Sequence, residues 1–212
     1  VVTANKALIS KYGDQLAKIA EKNKVNLEFE AAVCGGVPII RSIKEGLIAN
    51  KINRIYGIFN GTSNYILSSM DSNKTSFNDT ITKAIKLGYA ETNPASDING
   101  EDVASKVKIL SCLSFNSFIN KNIHIEGIKD IDQQDIINTN KLGYKIKLMG
   151  FSEILNNKIF QRVHPTLVKK TSYIAGVNGV LNAVIVDGKP VGKNIIQGEG
   201  AGPSATTSAL IS

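Results

Sequence analysis

Three extended runs follow one another in the C-terminal third of the chain: YKIKLMGFSEI (144–154), KIFQRVHPTLV (158–168) and NGVLNAVIVDG (178–188). Consecutive strands joined by short connections pair antiparallel, and Asn156-Asn157 between the first two suggests a hairpin turn. The chain before them has a different rhythm. Apolar spacing predicts helices over 6–23, 38–49, 63–70, 76–87, 101–113 and 131–143. Extended segments are expected at 25–33, 52–60 and 124–128. Pro38 falls near the first turn of its helix, and Gly88 stops the helix before it. Alternating helices and strands, then consecutive strands, predict an α/β chain of α+β character. Its mixed, largely antiparallel sheet should be covered by helices on one face.

Length and charge narrow the function classes. The 212 residues suit one large domain or one and a half. VVTANKALIS reads as a strand end running into a helix, and SATTSALIS as a helix stopped midway. The expectation is an internal piece of a longer protein. The net charge is +7, but the lysines are scattered, without dense runs or interleaved aromatics. That pattern describes a solvated basic surface rather than a nucleic-acid interface. Cys34 and Cys112 stand apart, with no CxxC, which fits a reducing, cytoplasmic setting. No apolar run reaches eighteen residues, so no membrane span is expected.

The most specific stretch is LGYAETNPASDINGEDVASKVKIL, 87–110. Asp102 and Lys106 lie four residues apart and share a helix face. Val103, Val107 and Leu110 mark the neighbouring buried stripe. Two readings stand: a surface ion pair worth about 0.3–0.5 kcal/mol, or the edge of a polar pocket completed by Glu91 and Asp97. Asp97 is equally suited to capping the following helix.

Four other segments offer chemistry. Lys6 opens a helix after a short apolar run, where a ligand can be reached. In EFEAAVCGGVPII, Glu30 and the carbonyls at the Gly35-Gly36 bend are oxygen donors for a hard cation, or merely a strand that turns. Gly61-Thr62-Ser63-Asn64 either presents N–H groups to an anion or caps a helix. Gly198, Gly200 and Gly202 permit close backbone approach to a flat ligand, but their spacing is not GxGxxG. Cys34 has no nearby histidine and reads as an inert thiol. His164 in RVHPTLV reads as a packed strand histidine, and His124 lacks metal-ligand spacing.

In this order and at these distances, the segments closely resemble homoserine dehydrogenase over essentially the whole chain, and 87–110 resembles that family's signature region. The resemblance implies NAD(P)-dependent interconversion of L-homoserine and L-aspartate 4-semialdehyde on the route to threonine and methionine. It makes Lys106 the catalytic lysine, with Lys6 near nicotinamide and substrate. Glu91 and Asp102 would hold the homoserine amino group, with Asp97, Tyr89, Thr62 and Gly61 lining the same pocket. Lys6, Gly88, Glu91, Gly200 and Gly202 would meet the cofactor. Glu30 with the carbonyls of Val33, Gly35 and Val37 resembles the family's sodium site. A homodimer is implied. Residues 1–24 would end a dinucleotide-binding domain, 25–190 would form the substrate and dimerisation region, and 191–212 would return toward the cofactor domain. The N-terminal Rossmann domain, with its glycine-rich turn, is expected outside this sequence, and no ACT-type extension is visible.

The chemistry sets one demand. A lysine takes the substrate's hydroxyl proton only if its pKa falls through burial or a neighbouring cation, a role open to Lys6. Asp102 pulls the other way unless the substrate amine engages it. Two other classes compete: a catalytically silent oligomerisation or amino-acid-binding fragment, and a semialdehyde dehydrogenase working through a cysteine thiohemiacetal.

Overall fold

The computed structural model describes residues 1–118 and 122–212. Helix α1 spans Lys6–Lys22, and a 3-10 turn covers Glu30–Ala32. Helix α2 is the short Ile39–Arg41 turn, continuing as a π turn over Ser42–Gly46. Strand β1 (Lys51–Ile58) leads to α3 (Gly61–Asn73), α4 (Phe77–Lys86), α5 (Ala95–Ile98) and α6 (Glu101–Phe115). Then come β2 (His124–Ile125), α7 (Gln133–Lys141), β3 (Tyr144–Leu155) and β4 (Lys158–Lys169). A 3-10 turn at Tyr173–Gly176, β5 (Leu181–Lys189), β6 (Gly192–Glu199) and α8 (Pro203–Ile211) complete the order.

The six strands form one sheet in the order β2-β4-β3-β1-β5-β6. Only β2 and β4 run parallel; the other neighbours are antiparallel. The β3–β4 hairpin turns at Asn156 and Asn157, whose φ of 49° and 58° are the positive values a tight two-residue turn needs. Helices α3, α6 and α7 cover one face, over a core that includes Ile66, Leu67, Val103, Val107, Leu110 and Ile136. The other face carries a smaller cluster around Ile58, Met149, Ala183 and Ile185, roofed by the Tyr173–Gly176 turn.

Helix α6 is the central element. Gly100 precedes it at φ 83°, a conformation that strains residues bearing a Cβ. Sandwiched between α1 and the sheet, α6 is buried on several sides, including at Asp102 and Lys106. Gly150 on β3 lets it sit close: a Cβ there would meet Val103 Cγ1 at 2.9 Å and Val107 closer still. Gly150→Ala is therefore expected to cost about 1–3 kcal/mol by overpacking. Urea denaturation checks this; an unchanged midpoint would show that α6 lifts freely.

Several expectations need correction. Residues 25–33 form no strand. They make one bridge, Val2 with Glu28, then turn at Glu30–Ala32. The cause lies in Glu30, whose carboxylate accepts from Ile40 N at 2.9 Å and Arg41 N at 2.7 Å, pulling the chain round to cap α2. The helix expected over 38–49 shrinks to α2 and the π turn. There the Ser42 hydroxyl donates back to Pro38 O at 2.6 Å, competing with regular helix bonding. Strand β6 and helix α5 were not anticipated. The former dilutes its alternation with glycine and polar residues, and the latter is a single turn after Pro94.

Candidate active site

A cleft of about 680 Å³ opens where the start of α1, the start of α3, the 87–91 turn, α6 and the β6–α8 junction meet. Lys6, Gly61, Thr62, Gly88, Tyr89, Glu91, Asp97, Asp102, Lys106, Gly200 and Gly202 all line it. Residues far apart in sequence are brought together there. His124 and His164 do not line it; His164 stacks on Phe151 on the opposite sheet face.

At its base lies a charge cluster with a buried centre and one part-exposed member, Lys6. Lys106 Nζ is 2.7 Å from Asp102 Oδ2, and Lys6 Nζ is 3.1 Å from Asp102 Oδ1. The Asp102 and Lys106 side chains are 6% and 10% exposed, so the surface-pair reading is replaced by a desolvated pair. Lys106 also donates to Phe59 O at 2.7 Å. Burial alone would raise the Asp102 pKa, yet Lys106, Lys6 and the Asn60 amide hold it down at about 2. Burial would lower that of Lys106, but Asp102 prevails and raises it. This corrects the expected role of Lys6 as a cation depressing Lys106, because Lys6 pairs with Asp102 instead. In this arrangement Lys106 is an ammonium group.

Asn60 organises the carboxylates. Its Nδ2 donates to Asp97 Oδ1 at 2.7 Å and to Asp102 Oδ2 at 2.8 Å, while its Oδ1 accepts from Ser63 N and caps α3. Asp97 is thus a partner of Asn60 within α5 rather than the cap of α6, where Gly100 stands. Burial raises the Asp97 pKa, opposed by the Asn60 amide. The Thr62 hydroxyl donates to Tyr89 O at 2.7 Å and fastens the 87–91 turn to α3. Glu91 is exposed on the rim, where a cationic ligand group can reach it. Asn60 was not singled out from the sequence. Its one local signal was its place just before Gly61, one residue ahead of the segment read as a possible cap.

Cys34 also reaches the cleft, with Sγ 3.8 Å from the same Phe59 carbonyl that Lys106 bonds. Burial pushes its thiol pKa up, so it is a poor thiolate and a poor covalent nucleophile. Beside it the fully buried Asn182 lies directly under Gly200; any Cβ at Gly200 would collide with the amide. At Gly88 and Gly202 a Cβ would meet nothing within 4 Å, and their φ values are 74° and 106°. The rim there is bare backbone with room for a flat ring. No GxGxxG turn occurs in this sequence, so no pyrophosphate cradle of that type does either. At the Glu30 bend the donor types are oxygens: a half-buried carboxylate and, in the turn that follows it, the backbone carbonyls of Val33, Gly35 and Val37. That set fits a hard cation, although both Glu30 oxygens already accept backbone N–H bonds. Among the described residues no group of three or more His, Cys, Asp or Glu side chains could hold a metal.

Fold and cleft define a class: a mixed-sheet α/β protein with a lysine–carboxylate pair buried at the base of a small-molecule cleft. A family profile described as homoserine dehydrogenase matches residues 38–212. The homoserine dehydrogenase of Neisseria gonorrhoeae is 45% identical over 212 residues, covering 100% of this chain and 49% of that protein. A solved homoserine dehydrogenase from Thiobacillus denitrificans superposes with a TM-score of 0.97 at 45% identity, covering 100% of this chain and 49% of that one. A hyperthermophilic archaeal homoserine dehydrogenase, solved in complex with NADPH, gives a TM-score of 0.86 at 31% identity, with 100% and 61% covered. The chain belongs to the homoserine dehydrogenase family. It spans about half the length of the curated relatives it matches.

Proposed function

We propose that the full-length protein carrying this chain interconverts L-homoserine and L-aspartate 4-semialdehyde with NAD(P), in threonine and methionine biosynthesis. One observation carries the reading: in a chain of this family, a buried Lys106–Asp102 pair, joined by the part-exposed Lys6, shares one cleft with Glu91. In the reducing direction the Lys106 ammonium gives its proton to the aldehyde oxygen. In the oxidising direction the substrate ammonium binds Asp102 and Glu91, and Asp102 loosens from Lys106. The Lys106 pKa then falls, and the neutral amine accepts the hydroxyl proton. Asn60 holds Asp97 and Asp102 in place throughout. A bound nicotinamide coenzyme supplies hydride exchange at the carbon bearing the oxygen. Lys6, Glu91 and the backbone of Gly88, Gly200 and Gly202 would hold its nicotinamide end. Glu30 and the carbonyls of Val33, Gly35 and Val37 would hold a sodium ion.

The remaining assignments have their own support. Val1, Val2, Ile19 and Ile211 are exposed apolar residues at the chain's two ends, which suits 1–24 and 191–212 packing against a cofactor domain while 25–190 forms the substrate region. Two free cysteines suit the cytoplasm, and among the described residues no helix is long and apolar enough to cross a membrane. The sheet face opposite the helices suits a homodimer. Tyr56, Phe151 and His164 stack across three strands, with Phe160 and Ile195 exposed beside them. Ile195→Glu with Phe160→Glu is expected to convert dimer to monomer in sedimentation velocity; an unchanged dimer would place the interface elsewhere.

The activity test is spectrophotometric. The full-length protein, given L-homoserine and NAD+ or NADP+, should generate reduced coenzyme. Homoserine binding without coenzyme reduction would favour the silent binding module.

A further inference from the structure

Beyond the end of β1, strand β3 keeps a strand neighbour at Lys147 only on its β4 side; on the other side α3 packs between β3 and β5. Lys147 is 2% exposed there, and Nζ donates to an all-oxygen cage. Val177 O lies at 2.5 Å, Asn64 Oδ1 at 3.0 Å, Asn178 Oδ1 at 3.1 Å and Ser68 Oγ at 3.3 Å. Asn64 then donates to Val177 O at 3.2 Å and to Leu181 O at 3.0 Å. One ammonium therefore ties three elements together: β3, the first two turns of α3, and the 177–181 loop.

That hub lies directly behind the cleft. Gly61 and Thr62, the residues just before Asn64 and Ser63 on the first turn of α3, line the cleft together with Val180. Gly61 fits only because it lacks a Cβ, which would fall 2.6 Å from Val180 O. Thr62 in turn holds Tyr89 O. A shift of α3 against the loop would move this wall directly and reach the Lys106–Asp102 pair on α6 only through Asn60, which caps α3 and donates to Asp102. Resting on the function proposed above, we propose that Lys147 is a positioning residue whose ammonium group fixes the Gly61–Thr62–Val180 wall against which the substrate seats.

The surroundings make the device sensitive to pH. The charged groups near it are Lys145 on its own strand and Asp71 on α3, paired with each other at 3.2 Å. The 177–181 loop and Thr166, opposite on β4, present no titratable group. Burial, with Lys145 adding to it and Asp71 opposing, lowers the Lys147 pKa to about 7. As pH rises through that range the group loses a donor and turns a lone pair toward the oxygens around it, so the wall loosens. The wall is fully fixed only below that range.

The test measures kcat and KM for L-homoserine from pH 6 to 9 in the full-length enzyme, in wild type, Lys147→Met and Asn178→Asp. The wild-type KM should rise through the neutral range. Lys147→Met should raise KM about tenfold, change kcat less than about threefold and flatten that rise. Asn178→Asp puts a carboxylate beside Nζ at an exposed position and should move the KM rise about one pH unit upward. A Lys147→Met loss lying in kcat, or an Asn178→Asp profile that stays in place, would overturn the inference. If Lys147→Met does not fold, the Asn178→Asp profile decides alone. An active wild type with indifferent variants overturns this inference only; an inactive wild type overturns the proposed function and this inference with it.

Discussion

Lys106→Met in the full-length protein is expected to lower kcat for homoserine oxidation by about 10²–10⁴-fold, the usual range for removing a general acid–base group. KM should change little, because the amino group of the substrate is assigned to Asp102 and Glu91. The variant should fold: Lys6 at 3.1 Å still neutralises Asp102, and methionine fills the lysine stem's volume. Steady-state kinetics with a circular-dichroism check would suffice. Unchanged turnover would reject Lys106 as the proton-transfer group; a large KM effect with normal kcat would make it a binding residue.

Asp102→Asn should damage stability and binding together. It leaves Lys106 buried with no carboxylate at bonding distance, which costs about 3–5 kcal/mol in comparable buried pairs. The pH dependence has a definite sign. The folded pKa of Asp102, about 2, lies below its ordinary 3.8, so its contribution is present above pH 4 and is lost as pH falls toward 2. That contribution is on the order of 2 kcal/mol. Urea unfolding should therefore show a gap between wild type and variant that is widest near neutrality and narrows between pH 4 and 2. A constant gap would mean that Asp102 acts through packing and not through charge. KM for homoserine should rise as well.

These effects trace to features of uneven legibility. The β3–β4 hairpin could be read because Asn156-Asn157 is local turn chemistry. The convergence of Glu91, Asp97, Asp102 and Lys106 could be read because they crowd into one short stretch. Asn60 could not, because its worth lies in two carboxylates 37 and 42 residues away. Segment 25–33 has a strand's alternation, but the capping of α2 by Glu30 decides its path. Lys147 sits between Ile146 and Leu148 in a strand, where a lysine ordinarily faces water. Its burial depends on α3 replacing a strand, which no local pattern announces. The sign of the Lys106 pKa shift was also hidden, since it required knowing that Lys6 pairs with Asp102.

The most direct measurement is a crystal structure of the full-length protein with L-homoserine bound. The account predicts the substrate ammonium within hydrogen-bond reach of Asp102 and Glu91, and its hydroxyl about 3 Å from Lys106 Nζ. Homoserine seated outside this cleft, or bound in it with the hydroxyl turned away from a Lys106 still locked to Asp102, would contradict it.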